Sequence, residues 1–487
     1  MASIEELRSV RLEKIEILKK AGMNPYPSSV ARTHSISEVK SSFDSLVSDS
    51  EKSPISIAGR VMVIRGQGAI LFVVLQDGDT RLQAVLKSDE LSEESFNLFT
   101  SAVDNGDFIS VTGPLFTTAR GEQSILIKSW AMASKALLPL PDKFHGLQDA
   151  EEKFRKRYLD IAENKDVYDL FIKKSKFWSE TRKYLSEKGF LEVETPTLEL
   201  TTGGAEARPF KTHHNDFDID LFLRISVGEL WQKRLMAAGY PRTFEIGRVY
   251  RNEGSSPEHL QEFTNMEFYA SFMTLYEGKT LVRNLFIDLA QNVFGTTKFE
   301  SRGYSFDLSG EWKDIDYVEE VKRITGIDVL EASEQDMMSK LTELGVTYEG
   351  KNKERLTDSL WKYCRKQIAG PIFLVNHPKI VAPLSKTNKE DDRKTEMFQV
   401  ILAGSELGRA HAELNDPVDQ AERFNKQQDL VDRGDDEAMM ADSEFVEMLE
   451  HGMPPTFGFG FGERLFAILS DKPIRETQLF PLMKPKA

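Results

Sequence analysis

Three segments hold residue types whose spacing suits chemistry. The first reads FEIGRVYRNEGSSPEHLQEFTNMEFY over residues 244–269. Its start alternates into a strand ending at Arg251, and a second strand is expected over 262–271. Side chains alternate along a strand, so Phe263, Asn265, Glu267 and Tyr269 share one face. One wall thus combines a guanidinium, an aromatic ring and carboxylates. Arginine can hold a phosphate or a carboxylate through two parallel hydrogen bonds, and an aromatic ring can stack on a purine. As bare residue types, the segment reads equally well as a surface hairpin with scattered ion pairs.

The second segment, FGFGFGERLFAIL (457–469), has three glycines at alternate positions, which permit close backbone approach. Arg464 follows at the start of an expected helix, where an anion is favoured. The spacing GxGxGER is neither a dinucleotide fingerprint nor a Walker loop, since no GK[ST] follows. The third segment, LAGSELGRAHAELNDPVDQAERF (402–424), carries Glu406 and Glu413 near a strand. Their parity is opposite, so a shared pocket requires a bulge near Gly408. Such carboxylates suit a hard cation or a cationic substrate group. Exposed surface acids are the other reading.

The elements that position these residues fall into regions. The 487 residues suffice for two or three domains. Residues 3–21 read as a helix, with Ser3 and Glu6 as a capping box and Gly22 as its stop. Arg8, Arg11, Lys14, Lys19 and Lys20 form either an RNA-facing stripe or a solvated face diluted by Glu5, Glu6, Glu13 and Glu16. Residues 23–54 are rich in Ser and Pro and read as a linker, so 1–54 is taken as helix plus linker. Period-two alternation then gives five strands at 55–65, 70–78, 80–87, 107–116 and 124–132, with a helical stretch at 88–106. That order fits an OB-fold β-barrel over 55–137, a fold that binds single-stranded nucleic acid. A small barrel without a ligand is the alternative. Residues 138–160 read as an interdomain linker, and in 161–487 helical and strand segments alternate irregularly. There, Phe171, Trp178 and Leu185 mark a buried helical stripe, and 303–370 reads as a variable insertion.

Composition sets limits. The net charge of −15 argues mildly against RNA as a partner, because phosphate contacts need Lys and Arg. Local patches nonetheless decide binding, since charges are screened beyond ~8 Å. One cysteine, Cys364, excludes an internal disulfide, and no Cys/His cluster suggests zinc. No apolar run reaches the roughly 18 residues of a membrane span, and the N-terminus lacks the apolar core of a signal peptide. A cytoplasmic location, with no membrane or DNA partner, is expected.

Together the three segments, in this order, with GFLEVETPTLE (189–199) upstream, resemble the class II aminoacyl-tRNA synthetases. GFLEVETPTL resembles the first motif, at the dimer interface, with Pro196 matching its proline; the 244–269 and 457–465 segments resemble the second and third motifs. An N-terminal OB-fold marks the aspartate, asparagine and lysine branch. Within it, LPLPDKFHGLQDAEEKFRKRYLDI (138–161), TTGGAEARPFKTHHN (201–215), AELNDPVDQAERF (412–424) and PIRETQLFPLMKPK (473–486) are similar to lysyl-tRNA synthetases.

The resemblance implies that 161–487 is an α+β catalytic domain on an antiparallel β-sheet, and that the chain is a homodimer that activates L-lysine with ATP and Mg2+ and transfers it to tRNA(Lys). It implies that Arg251 holds the α-phosphate and the substrate carboxylate, and that Arg251 and Arg464 are catalytic. Glu253 would read the adenine amino group, Phe263 would stack on the ring, and His259 and Arg464 would contact the distal phosphates. Gly204 and Glu229 would hold the α-amino group, and Glu267, Tyr269 and Glu413 would meet the ε-ammonium. Glu406 would bind magnesium with Gln399 beside it, and Arg65, Phe72, Gln83 and Glu122 would contact anticodon bases. The physics agrees: adenylation needs alignment and charge neutralisation, and an unpaired buried ammonium is costly.

Four departures stand out. RISVGELWQKRL (224–235) is one residue longer before Glu229 than the usual RIAPELYLKRL, and GER replaces GIDR before Arg464. Gln399 replaces a glutamate, which lowers the negative charge of the metal site. GRAHAEL replaces GNGFSEL, placing Arg409 and His411 near the pocket. A guanidinium facing the ε-ammonium would repel it, so Arg409 is expected to point away or to pair with an acid such as Glu406. The rival readings are an aspartyl or asparaginyl synthetase, disfavoured by Glu267 and Glu413; a tRNA-independent lysyl transferase, disfavoured by the barrel; and an inactive tRNA-binding paralogue, disfavoured by Arg251, Glu253 and Arg464.

Overall fold

The computed structural model describes residues 3–141, 149–205, 207–254, 256, 259–348, 350–434 and 438–486. Part of the expected 138–160 linker (142–148) and part of the 254–260 loop (255, 257 and 258) lie outside the described residues. The chain forms two compact units, Met1–Asp169 and Leu170–Ala487.

In the first unit, the helix Ile4–Lys20 begins at a Ser3–Glu6 capping box. Its basic side chains are partly spent inside the unit. Arg11 is buried and donates to the carbonyls of Ala136, Leu138 and Asn105. Lys14 donates to Asp104 at 2.6 Å. The stripe is therefore in part a structural anchor rather than a free RNA-facing surface. Residues 23–54 also differ from a bare linker: Ile36–Ser41 and Phe43–Val47 are short helices whose Ile36, Val39 and Phe43 enter the core. Tertiary packing, not a repeating pattern, makes these helices.

Seven strands replace the five expected: β1 (Ile55–Gln67), β2 (Ile70–Asp77), β3 (Thr80–Lys87), β4 (Phe108–Gly113), β5 (Leu115–Thr117), β6 (Gln123–Leu126) and β7 (Ser129–Ser134). The expected 107–116 strand splits because Pro114 has no N–H to give a ladder and because Gly113 meets a crossing chain. A Cβ there would lie 1.7 Å from Leu126 O. The sheet order is β5-β6-β3-β2-β1-β4-β7, so no closing pair completes the expected barrel among the described residues. The helix Glu93–Ala102 lies between β3 and β4 and buries Phe99.

In the second unit, the helix Lys165–Glu187 buries Phe177, Thr181, Tyr184 and Leu185 at helical spacing, with Trp178 only partly buried. The strands that follow are β8 (Leu191–Glu192), β9 (Leu198–Glu199), β10 (Lys211–His214), β11 (Ile219–Leu223), β12 (Arg242–Tyr250), β13 (Glu262–Ser271), β14 (Lys298–Ser301), β15 (Tyr304–Asp307), β16 (Lys313–Asp316), β17 (Ile372–Val375), β18 (Met397–Leu402), β19 (Ser405–Ala412) and β20 (Thr456–Gly462). The main sheet runs β16-β17-β18-β19-β20-β13-β12-β8. It is antiparallel from β17 to β12, and only its two edge strands pair in parallel. Phe268, Phe457, Phe459 and Phe461 enter the core together with Val282 and Phe286 of the helix Leu275–Leu289.

Residues 303–370 are more than an insertion. They supply β16 to the main sheet and carry the helices Tyr317–Thr325, Glu334–Glu343 and Lys353–Cys364 around a core of their own. No helix among the described residues is long and apolar enough to cross a membrane.

Candidate active site

The alternating glycines of β20 form the floor of the site. Phe457, Phe459 and Phe461 point into the core, so Gly458, Gly460 and Gly462 face the other side. These glycines pair with Tyr269, Glu267 and Asn265 of β13. A Cβ on Gly458 would stand 2.1 Å from Glu413 Oε1, and one on Gly460 would stand 2.8 Å from Glu267 Cγ. One on Gly462 would stand 3.4 Å from the Phe263 ring. The missing side chains are thus the space in which the functional side chains lie.

One end of the site is acidic. Glu267 is buried, with Oε1 accepting from Val227 N–H at 2.9 Å and Asn265 Nδ2 at 3.0 Å. Its Oε2 accepts from the Tyr269 hydroxyl at 3.0 Å. Glu413 is equally buried, and its Oε2 lies 2.6 Å from Lys233 Nζ. Lys233 also donates to Glu229 Oε1 at 2.8 Å. Burial pushes the Glu413 carboxyl up to about 8 against the pull of Lys233, with Glu229 and Glu267 adding to the rise. Burial and Glu229 push Glu267 up to about 7. Burial would depress the Lys233 ammonium, but Glu229 and Glu413 outweigh it and hold that group above its ordinary value. Two carboxylates on one ammonium leave excess negative charge, so Lys233 keeps its proton.

Gly204, at φ +84°, abuts Glu229: a Cβ there would lie 2.9 Å from Glu229 Oε2. Gly228 caps the helix Glu229–Ala237 in the left-handed region, and a Cβ on it would strike Thr195 Oγ1 at 2.1 Å. At the far end, Arg251 donates from Nε and Nη2 to Ile225 O at 3.3 and 3.2 Å. Its guanidinium lies 5.3 Å from the centre of the Phe263 ring. Gln261 donates to the Glu253 carbonyl, and the exposed His259 shares a hydrogen bond of 2.7 Å with Ser256 Oγ.

The bulge that a shared pocket requires is present. Val400 pairs with Gly408 but Ile401 pairs with Glu406, so one extra residue sits in β19 beside Gly408. Glu406 then shares a face with Arg409, whose Nε donates to Glu406 Oε1 at 3.3 Å. Arg464 Nη1 donates to Glu406 O at 3.0 Å. Burial pushes Glu406 up, but Arg409, Arg365 and Arg464 outweigh it and hold the carboxyl below its ordinary value.

The comparisons with known proteins identify the family. Residues 149–484 match the family model for class II tRNA synthetases (D, K and N), and 55–132 match the OB-fold nucleic acid binding domain. The lysine–tRNA ligase of Thermotoga maritima is 40% identical over 489 residues, covering 99% of this chain and 97% of that protein. That of Lactococcus lactis subsp. lactis is 40% identical over 496 residues, covering 99% and 100%. The chain belongs to the class II tRNA synthetases, in the lysine–tRNA ligase branch. It is an aminoacyl-tRNA synthetase, and so a ligase.

Against this family's pattern the departures acquire physical reasons. The extra residue before Glu229 is absorbed by the left-handed Gly228 packed on Thr195. In GER, Glu463 is buried and ties three segments together: it accepts from Thr264 N–H and Lys174 Nζ, both at 2.9 Å, and from Gln478 Nε2. Arg409 pairs with Glu406, as its position in the sequence leads one to expect. His411 shares a hydrogen bond with Ser385 Oγ. Burial, then Arg409 and Lys233, hold His411 well below its ordinary value, so it is a neutral ring near the pocket.

Magnesium fits this site only on certain terms. Gln399 is buried beside the His377 ring and pairs across the strands with Arg409, which in turn donates to Glu406. Among the described residues no three His, Cys, Asp or Glu groups are placed to hold a metal. Two oxygens with arginines nearby suit an ion that arrives on phosphate oxygens, not a resident cation.

In the first unit, Arg65 of β1 pairs with Phe72 of β2, whose ring is exposed. Gln83 of β3 donates to Ser124 Oγ at 2.9 Å, and Ser124 Oγ donates to the Glu122 carbonyl at 3.2 Å. The four expected base-contacting residues therefore lie along adjoining strands β1, β2, β3 and the start of β6.

Reasoning from sequence missed Lys233. Its placement four residues after Glu229 on one helix face was the available signal. It also missed Glu199, which is buried, accepts from Trp231 Nε1 at 3.1 Å and is pushed up to about 7 by burial.

Proposed function

We propose that the chain joins L-lysine to ATP, releasing pyrophosphate, and transfers the lysyl group to the 3′ end of tRNA(Lys). The observation that carries this is the charge of the acidic end. Glu229 and Glu413 face a single internal ammonium, Lys233, and Glu267 lies close enough to both acids to raise the Glu413 carboxyl. When all three carboxylates are ionised they exceed Lys233 by two negative charges, which matches the two ammonium groups of lysine. An acidic or neutral substrate side chain would leave buried charge unpaired, at a cost of several kcal/mol (roughly).

In this reading Glu229 Oε2 and the Gly204 backbone take the α-ammonium, while Glu413 and the Tyr269 hydroxyl take the ε-ammonium. Arg251 holds the lysine carboxylate against the α-phosphate. A carboxylate oxygen bonds to the α-phosphorus, and the bond to the pyrophosphate oxygen breaks. Phe263 stacks on adenine, Glu253 reads its amino group, and His259 and Arg464 hold the distal phosphates. When bound, magnesium would neutralise phosphate charge, with Glu406 and Gln399 supplying the protein oxygens. Arg65, Phe72, Gln83 and Glu122 read the anticodon on the OB-fold face. Leu191 on the edge strand β8, Leu198 on β9 at the edge of the small sheet β10-β11-β9, and Leu200 just after it are exposed and suit a second copy of the chain. The working compartment is the cytoplasm.

The test is pyrophosphate exchange into ATP with each of the twenty amino acids and magnesium. Exchange with lysine alone is expected, and Glu413→Gln should reduce it at least tenfold. Exchange driven by aspartate or asparagine, or by no amino acid, would overturn the reading.

A further inference from the structure

Lys233 is a fully buried ammonium whose partners are two of the proposed substrate-holding carboxylates. Its Nζ contacts one oxygen of each: Glu229 Oε1 at 2.8 Å and Glu413 Oε2 at 2.6 Å. The other oxygens remain. Glu229 Oε2 faces Gly204, and Glu413 Oε1 is buried without a hydrogen-bond partner among the described residues and faces Gly458. Packing holds the cation in place, with Nζ 6.0 Å from the ring centres of both Tyr269 and Phe445.

We propose that Lys233 is a specificity-determining positioning residue: by holding one oxygen of Glu229 and one of Glu413, it fixes the separation at which their other oxygens receive the two ammonium groups of the substrate. The inference rests on the reading of this pocket as the lysine site. Two carboxylates brought together without a cation repel each other and rotate apart, or one takes up a proton. With Lys233 between them, their spacing is set by the protein before substrate arrives, so a diamino acid of one length fits and a shorter one does not. That is preorganisation of a binding site by a group that never touches the reacting atoms.

The experiment uses the full chain and pyrophosphate exchange with lysine and with ornithine, which is one methylene shorter. Lys233→Met should raise KM for lysine at least tenfold and lower the lysine-over-ornithine ratio of kcat/KM at least fivefold, with KM for ATP within twofold. In Lys233→Ala, added propylamine should restore part of the lysine activity, and propanol should not. Should neither neutral variant fold, Lys233→Arg decides, because it keeps the charge but moves it; a shifted lysine-over-ornithine ratio is expected. An unchanged ratio in the folded variants, or equal losses for ATP and lysine with no amine rescue, overturns the proposal. Wild-type enzyme that exchanges with no lysine at all would instead overturn the lysine reading itself.

Discussion

Gly458 and Glu413 compete for one volume: a Cβ on the glycine would stand 2.1 Å from the carboxylate oxygen Oε1 and 2.5 Å from a Tyr269 ring carbon. Gly458→Ala should therefore push Glu413 and Tyr269 off their positions. We expect KM for lysine to rise at least tenfold and stability to fall by about 1–3 kcal/mol. Exchange kinetics and urea unfolding measure both. A folded Ala variant with wild-type KM would mean that Glu413 does not meet the substrate.

The acidic end makes lysine binding pH-dependent. Burial raises Glu413 to about 8 and Glu267 to about 7 in the empty pocket. A substrate ammonium needs the carboxylate form, so KM for lysine should fall as pH climbs through that range and then level off. Binding near neutral pH should release protons, measurable by calorimetry in buffers of different ionisation enthalpy. Stability runs the opposite way. The folded chain binds more protons than the unfolded one between the ordinary carboxyl value and about 8, so stability declines as pH rises through that window. A KM that is flat with pH would contradict this.

Glu463, in the third motif segment, joins Thr264 of the second to Lys174 and Gln478 outside them. Glu463→Gln removes the negative partner of Lys174, which also donates to Thr477 O at 2.8 Å. Breaking a buried pair on one side costs about 3–5 kcal/mol. Denaturant titration should show a loss of that order. A loss under about 1 kcal/mol would assign the pair a minor role.

Phe72 is the exposed ring among the four OB-fold candidates. Base stacking on such a ring contributes about 1–3 kcal/mol. Phe72→Ala should weaken tRNA binding about tenfold or more, while tRNA-free pyrophosphate exchange stays at the wild-type rate. Unchanged tRNA affinity would remove this face from the anticodon site.

Several features were legible because they are local. The strand pair β12–β13, the common face of Phe263, Glu267 and Tyr269, and the need for a bulge beside Gly408 all follow from two-residue periodicity. The pairing of Arg409 with Glu406 follows from like charges avoiding one another at an amine site. Other features depend on contacts distant in sequence. Arg11 looks like a surface charge until the carbonyls of Asn105, Ala136 and Leu138 converge on it. The helices within 36–47 form because Ile36, Val39 and Phe43 find a core. The strand break at Gly113 depends on the Leu126 carbonyl crossing there.

By itself, the sequence determined which family this chain joins, where the strand pair β12–β13 runs, and which residue types share its face, because these follow from spacing along one segment. Only the tertiary structure decided what Lys233 does. Its charge can be stable in the interior only if Glu229 and Glu413 reach it together, and Glu413 comes from just beyond β19, a strand distant in sequence from the helix that carries Glu229. A buried charge is defined by what surrounds it in space; the spacing to Glu229 hints at one partner, but nothing along the chain records Glu413.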